Sequence, residues 1–170
     1  MDPRIIDGLV RPLLRYARNR GLKTQINTNL TFELERYLPI IEDVDVLHIT
    51  WNYPTPAAFH EIVWGRAPAT VKPDVSWRLY ERLVSNIRAL AARGVFISAE
   101  SMVNRETAPH LGAMSRHLRT LGVRRYEINP MYPADWAADL PELAVSLAEY
   151  RAAIDRFLDE RDPNLWTLFG

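Results

Sequence analysis

The chain of 170 residues carries 21 basic and 21 acidic side chains, so its zero formal net charge gives no electrostatic reason to expect nucleic acid or an anionic membrane as a partner. It contains no cysteine, which excludes disulfides, a thiol nucleophile and thiolate-ligated zinc or iron–sulfur sites within these residues. No apolar run approaches the ~20 residues that span a bilayer, and the N-terminus lacks signal-peptide features, so we expect a cytoplasmic protein.

The first part of the chain predicts a helix, a strand and a second, shorter helix. Residues 4–20 show helical periodicity, although Pro12 should kink or divide that helix. Residues 22–29 are predicted to form a strand. Residues 32–42 follow as a short helix, with Thr31 as its N-cap.

The middle of the chain predicts a second strand and a long helix, separated by an extended connection. The strand covers residues 45–52, and the proline-rich connection covers residues 53–74. A helix is expected at residues 75–93, with Asp74 as its N-cap and Gly94 as its stop signal.

The last part of the chain predicts two more strand–helix pairs. Residues 95–102 form the third strand, and a helix at 107–121 ends at Gly122. The fourth strand is expected at 124–129, and a long final helix begins at Pro141. Strands separated by helices of this length indicate βαβ units, a parallel sheet and a single domain over residues 1–170.

Each predicted strand alternates polar and apolar residues, whereas parallel strands covered on both faces normally read as continuous apolar runs. The alternation predicts a partial (β/α) barrel: a curved parallel sheet of about four strands, with helices on its outer face only. The polar residues expected on the concave side are Gln25, Asn27, Asn29, His48, Thr50, Asn52, Ser98, Glu100, Glu127 and Asn129. The alternative is that these residues merely hydrogen-bond to one another without binding a ligand.

Four strand ends occur in a characteristic order: Thr28-Asn29, Ile49-Thr50-Trp51-Asn52, FISAESMVNRET and RYEINPMYP. This order resembles the third to sixth strands of the radical S-adenosylmethionine (SAM) half-barrel. The stretch NYPTPAAFHEIVWGR is most similar to the YfkA/YfkB group, in which a radical SAM core and a YfkB-like domain occur fused or as neighbouring chains. The resemblance covers about residues 15–160. The Cys-x3-Cys-x2-Cys loop and the Gly-Gly-Glu motif are absent, so the chain resembles the later, incomplete part of that half-barrel.

The resemblance implies positions for SAM and substrate, although it assigns no catalytic residue. The residues that correspond to cofactor contacts are Thr50, Asn52, Ser98, Glu100, Asn129 and Met131. The residues expected along the lumen, on the substrate side, are Gln25, Asn27, Asn29, His48 and Glu127. An alternative for Glu127 is a structural ion pair with Arg124 or Arg125.

The connection at residues 53–74 follows the strand that carries Thr50 and Asn52, so it should overhang the site. Its aromatic residues and Arg66 suit closure over a substrate, and Arg66 is a candidate substrate contact. The alternative is that this segment packs its aromatic side chains on the barrel.

Three functions remain open at this point. The first is the SAM- and substrate-binding portion of a radical SAM-type enzyme, whose 4Fe-4S cluster comes from a partner or segment with Cys-x3-Cys-x2-Cys. The second is a non-catalytic interaction domain, a degenerate barrel that binds a radical SAM partner. The third is a metal-independent barrel enzyme that uses Glu100 and Glu127 as acid and base.

Two further expectations concern partners and metals. The edge strand at residues 22–29 carries little protection against pairing, so we expect the isolated chain to self-associate there or to need its partner. The four histidines show no HExxH or short paired spacing, so no metal site is predicted.

Overall fold

Five parallel strands form one sheet in the order β1-β2-β3-β4-β5. The strands are β1 Gln25–Thr28, β2 Val46–Thr50, β3 Ile97–Val103, β4 Arg125–Pro130 and β5 Trp166–Phe169. These bounds come from a computed structural model that describes residues 3–64, 72–131 and 140–170. The four predicted strands are confirmed, and a fifth strand, β5, pairs with β4 at the edge of the sheet.

In the described part of the chain, five helices of nine or more residues accompany the strands. They are α1 Arg11–Asn19, α2 Pro56–Trp64, α3 Pro73–Ala92, α4 Leu111–Leu121 and α5 Leu147–Glu160. The division predicted near Pro12 is present, because a short helical turn and the π-helical stretch Ile6–Val10 precede α1. Among the residues described, no helix combines the length and the apolar character needed to cross a bilayer.

The helices pack on one face of the sheet. That face carries Leu47, Ile49, Ile97, Ala99 and Ile128, which are at most 1% exposed. They share one core with apolar side chains of α3, α4 and α5, including Leu83, Ile87, Met114, Leu118 and Phe157. On the other face Gln25, Asn27 and Thr50 are exposed. The predicted one-sided packing is therefore correct.

The prediction of a helix at residues 32–42 is wrong. Two short 3-10 turns, Leu34–Arg36 and Ile41–Asp43, occupy this segment instead. Pro39 lies between them, and it cannot donate a backbone hydrogen bond within a continuous helix. Thr31 is likewise not an N-cap, since Glu33 precedes the first turn.

The long connection contains a helix that the sequence interpretation missed. Thr55 accepts a hydrogen bond from the Ala58 backbone N–H at 3.1 Å, and Pro56 begins α2 at the position where proline is best tolerated. The next helix, α3, already begins at Pro73. Asp74 is therefore in its first turn and not at its N-cap, and it pairs with Arg78 at 3.0 Å.

The final helix begins later than predicted. Pro141–Leu143 is only a 3-10 turn, and α5 starts at Leu147. Ser146 and Glu149 form a reciprocal capping box, which supplies the partners for the first backbone N–H groups of α5. The apolar spacing of the sequence was correct, but the capping box determines where the helix starts.

Gly94 and Gly122 allow a test of how helix ends position the strands that follow. Both have positive φ, +82° and +95°. A Cβ on Gly122 would meet the Ala91 Cβ at 2.5 Å, whereas a Cβ on Gly94 would meet nothing within 4 Å. We expect Gly94→Ala to lower the free energy of unfolding by about 1–2 kcal/mol, the cost of a left-handed non-glycine residue. Gly122→Ala should cost more, because α3 and α4 must also separate. Urea denaturation of both variants measures the difference, and equal losses would contradict the close approach.

Candidate functional site

His48 lies at the centre of a charged cluster on the polar face of the sheet. Its Nε2 atom is 3.2 Å from Glu100 Oε2, and its Nδ1 atom is 3.8 Å from Glu127 Oε1. The pairing of β2, β3 and β4 places Ser98 beside His48 and Glu127 beside Glu100. The His48 side chain is only 4% exposed, while the two carboxylates remain partly open to solvent. The strands thus hold one imidazole between two carboxylates.

Glu127 is held in place by residues of β3 and β4. Arg125 Nη2 contacts Glu127 Oε1 at 2.7 Å, and the Ser98 hydroxyl donates to the same oxygen at 3.2 Å. The Arg125 Nε–H donates to Ser98 Oγ at 3.0 Å, and its Nη2 reaches Gln25 Oε1 at 3.4 Å. The ion pair considered as an alternative for Glu127 is therefore present, with Arg125 as the partner.

Glu100 is held by three side chains. The Thr50 hydroxyl donates to Glu100 Oε1 at 3.3 Å, and the Asn129 amide donates to Oε2 at 3.4 Å. The contact with His48 is the largest cause that lowers the pKa of Glu100 below its ordinary value, and partial burial opposes this shift. Glu100 is consequently ionised at neutral pH. A carboxylate of this kind accepts hydrogen bonds or binds a cation, and it is poorly suited to donate a proton.

A cleft of about 710 Å³ lies at the carboxyl ends of the strands. Asn52, Met102 and Met131 line its sheet side, and Ala58, Glu61 and Ile62 of α2 line another side. Its remaining wall includes Thr55, Asn104, Arg105, His110, Leu140 and Leu143. Ligand sites of βα enzymes form at this end of a parallel sheet. The cleft therefore lies where such enzymes bind their ligands.

The segment after β2 contributes to both the cleft and the core. Tyr53 and Phe59 meet edge to face at a centroid distance of 4.7 Å, and Phe59 packs on Tyr80 in the same way at 5.6 Å. These aromatic residues pack on the barrel, as the alternative interpretation predicted. Arg66 lies outside the described residues.

The structure brings together most of the residues that the sequence singled out. The hydrogen-bonded polar network contains Gln25, Asn27, His48, Thr50, Ser98, Glu100, Glu127 and Asn129. Asn52 and Met131 line the cleft instead, and the Asn52 Oδ1 atom accepts the Met102 backbone N–H at 2.9 Å. Asn29 is exposed just beyond β1.

Two residues of the site received too little weight in the sequence interpretation. Arg125 joins Glu127, Ser98 and Gln25, although the sequence suggested it only as an alternative partner. Met102 lines the cleft beside Asn52. The sequence did contain a signal for Arg125. It precedes Glu127 by two residues in the same strand, so both side chains lie on the same face of the sheet.

Comparison with known proteins supports the family resemblance. A family model described as a YfkB-like domain matches residues 131–170. The chain is 46% identical over 164 residues to the protein YfkA of Bacillus subtilis, and the match covers 95% of this chain and 43% of YfkA. The chain therefore spans less than half the length of this relative.

Solved structures show the same fold at low sequence identity. A domain of pyruvate-formate lyase-activating enzyme from Bacteroides vulgatus superposes with a TM-score of 0.68 at 13% identity, covering 100% of this chain and 94% of that domain. SuiB from Streptococcus suis, in a structure bound to SAM, superposes with a TM-score of 0.68 at 12% identity, covering 95% of this chain and 36% of SuiB. The predicted resemblance to the YfkA/YfkB group is confirmed by the sequence matches, and the predicted partial-barrel fold is confirmed by these structures.

The pKa of Glu100 leads to a prediction about stability in acid. Because the folded-state pKa is lowered, its stabilising contribution is fully present above the ordinary value of 4.5 and is lost as the pH falls further. Glu100→Gln should therefore be less stable than the wild type at pH 7, and the difference should narrow below about pH 4.5. Urea denaturation between pH 7 and pH 3 measures this difference.

Thr50→Val is the matched control, because it removes one hydrogen bond to Glu100 but keeps the carboxylate and its His48 contact. This variant should retain most of the acid sensitivity of the wild type. A constant stability difference between wild type and Glu100→Gln over the whole pH range would contradict the contact.

Proposed function

We propose that this chain is the SAM- and substrate-binding portion of a radical SAM-type enzyme. The observation that carries the proposal is the group of Thr50, Glu100 and Asn129, hydrogen-bonded together on the polar face next to the cleft. The structure of SuiB bound to SAM, which shares this fold, supports SAM as the cofactor. The proposed role of these three residues in binding SAM rests on their hydrogen-bonding chemistry.

The residues present fit SAM. An ionised Glu100 can accept hydrogen bonds from the hydroxyl groups of the ribose, and Thr50 and Asn52 offer polar groups beside it. The thioethers of Met102 and Met131 provide a polarizable wall for a planar base. The cleft of about 710 Å³ falls within the range of small-molecule sites, roughly 300–1,000 Å³.

The residues of this chain would bind and orient the reactants. SAM supplies the radical chemistry when it is bound beside a reduced 4Fe-4S cluster. Glu100 and its neighbours would hold the cofactor side, while His48, Arg125 and Glu127 would present charged and hydrogen-bonding groups to the substrate side. Gln25 and Asn27 extend this polar surface to β1, and both are exposed.

The cluster must be held by residues outside this sequence, since its 170 residues include no cysteine. We assign that role to a partner chain or further segment that carries Cys-x3-Cys-x2-Cys. Its docking place is the open side of the sheet at β1, a strand paired on one side only in the described structure. Beside it, the first helical segment exposes Ile5, Leu9, Leu13 and Tyr16 by 50–62%, while Ile6 and Leu14 are buried. An exposed apolar stripe next to an unpaired strand edge suits a strand-and-helix partner.

A second candidate is the non-catalytic interaction domain. It is favoured by the contacts among Gln25, Arg125, Ser98 and Glu127, which already satisfy one another without a ligand. In that case the same surface would bind a radical SAM partner without holding SAM. The acid–base enzyme is the weakest alternative, because Glu100 is ionised at neutral pH and is held by three neighbours.

SAM binding separates the two candidates. The chain, co-purified with its cysteine-bearing partner, is titrated with SAM by calorimetry, and iron content and SAM cleavage are measured in parallel. Thr50→Ala and Asn52→Ala should each weaken binding about threefold to tenfold, the loss of one hydrogen bond to the ligand. Thermal melts control for folding, since Asn52→Ala also removes the contact with the Met102 N–H. An iron-containing assembly without SAM affinity would instead identify the non-catalytic domain.

The partner surface is tested separately by sedimentation. We expect the isolated chain to self-associate, or to remain monodisperse only with its partner. Leu9→Lys combined with Leu13→Lys should weaken that association at least tenfold without unfolding the chain, because both side chains are more than 60% exposed. Leu158→Lys, on the outer surface of α5 and 45% exposed, is the matched control. A monomeric chain that neither pairs with a partner nor responds to these substitutions would exclude the docking surface.

A further inference from the structure

A possible metal-ligand set lies on the polar face, where the sequence gave no metal-binding motif. His48, Glu100 and Glu127 can each offer one ligand atom, and these three atoms lie within 4.8 Å of one another. We propose that they bind a divalent transition-metal ion such as Zn²⁺ or Mn²⁺. One imidazole and two carboxylates form a donor set typical of these ions, with water completing the coordination. This inference goes beyond the proposed function and does not depend on SAM.

The imidazole of His48 provides an independent observation. Its side chain is 4% exposed, and its Nδ1 atom has no hydrogen-bond partner in the described part of the chain. Glu127 Oε1 lies 3.8 Å from this nitrogen, which is too far for a hydrogen bond. A cation bound between His48 Nδ1 and the Glu127 carboxylate would give this buried nitrogen the partner that it lacks.

The carboxylates are oriented in the way that outer residues orient metal ligands. Ser98 and Arg125 hold Oε1 of Glu127, while Thr50 holds Oε1 of Glu100. The His48 Nε2 atom lies 3.2 Å from Glu100 Oε2, so the imidazole and this carboxylate are already in contact. Such contacts reduce the number of rotamers that must be frozen when an ion binds.

The two glutamates can complete the geometry by small rotations. Ligand atoms around one zinc ion stand roughly 3–3.5 Å apart, given metal–ligand distances of about 2.0–2.2 Å. The side chains of Glu100 and Glu127 are 30% and 22% exposed, so they have room to rotate. Such rotations would bring the carboxylate oxygens closer to each other and to His48. His48 is buried and serves as the fixed ligand. The exposed Thr50 beside them marks the side from which water reaches the site.

Arg125 sets the charge balance of the site. Its guanidinium lies 2.7 Å from Glu127 Oε1 and compensates this carboxylate when no ion is bound. Glu127 can keep this contact through Oε1 and bind the ion through Oε2. The positive charge of Arg125 opposes a cation, so the affinity should be lower than that of a site with two uncompensated carboxylates.

Metal titration of the chelator-treated chain, without SAM or partner, tests the proposal. Calorimetry with Zn²⁺ and with Mn²⁺ should show one ion per chain, and Co²⁺ should give the visible absorption of a nitrogen–oxygen site. Glu100→Gln and Glu127→Gln should each lower the affinity at least tenfold. Ser98→Ala should lower it about 10–100-fold, as expected when an outer partner of a ligand is removed. The exposed Glu81→Gln on α3 is the control and should bind like the wild type.

The two glutamine variants keep the test decisive. His48→Asn should abolish binding, but it replaces a buried residue, so its folding is checked by circular dichroism. Glu127→Gln is nearly isosteric and partly exposed, and it is therefore expected to fold. Wild-type affinity in both glutamine variants, or binding at His60, His110 or His117 instead, would overturn the proposal. Metal binding together with absent SAM binding would contradict only the proposed function.

Discussion

Side chains of successive residues in a strand point to opposite faces, and in β2, β3 and β4 this alternation determines where charge can lie. Ile49, Ala99 and Ile128 face the helices and are fully buried, so their neighbours must face away. The neighbours include Glu100 and Glu127, whose burial among apolar helices would be strongly unfavourable. A sheet with helices on one face only avoids that cost. The remaining features of the molecule depend on this constraint.

The polar face is also ordered by its own contacts. His48 and Ser98 contact the carboxylates, and Arg125 places a positive charge beside Glu127. The same parallel pairing brings the strand ends together at one edge, where the cleft is lined by Asn52, Met102 and Met131. Fixed charge beside an open cleft is the arrangement that a polar ligand requires. It also explains why a cation and a cofactor are both chemically reasonable occupants.

Alternation was a reliable guide where strands are long and two-sided, and it correctly placed the polar residues of β1 to β4 on one face. It could not reveal β5, because Trp166–Phe169 has four residues, three of them apolar, and is defined by its pairing with β4. Prolines were harder to interpret. Pro39 interrupts the helix predicted at residues 32–42, whereas Pro56 starts a helix. The contacts of Arg125 required tertiary structure, since Gln25 is distant from it in sequence.

The chain has no cysteine, so single thiols introduced by mutation report directly on which face of the sheet is open. Thr50→Cys replaces an exposed residue of the polar face, and Ala99→Cys replaces a fully buried residue of the opposite face on the adjacent strand. The rate of reaction with a thiol reagent under native conditions is the most direct measurement. We expect Thr50→Cys to react at a rate close to that of the unfolded chain, whereas Ala99→Cys should react only when the chain unfolds. Protection of Thr50→Cys together with ready labelling of Ala99→Cys would show that the faces are reversed and would contradict this expectation.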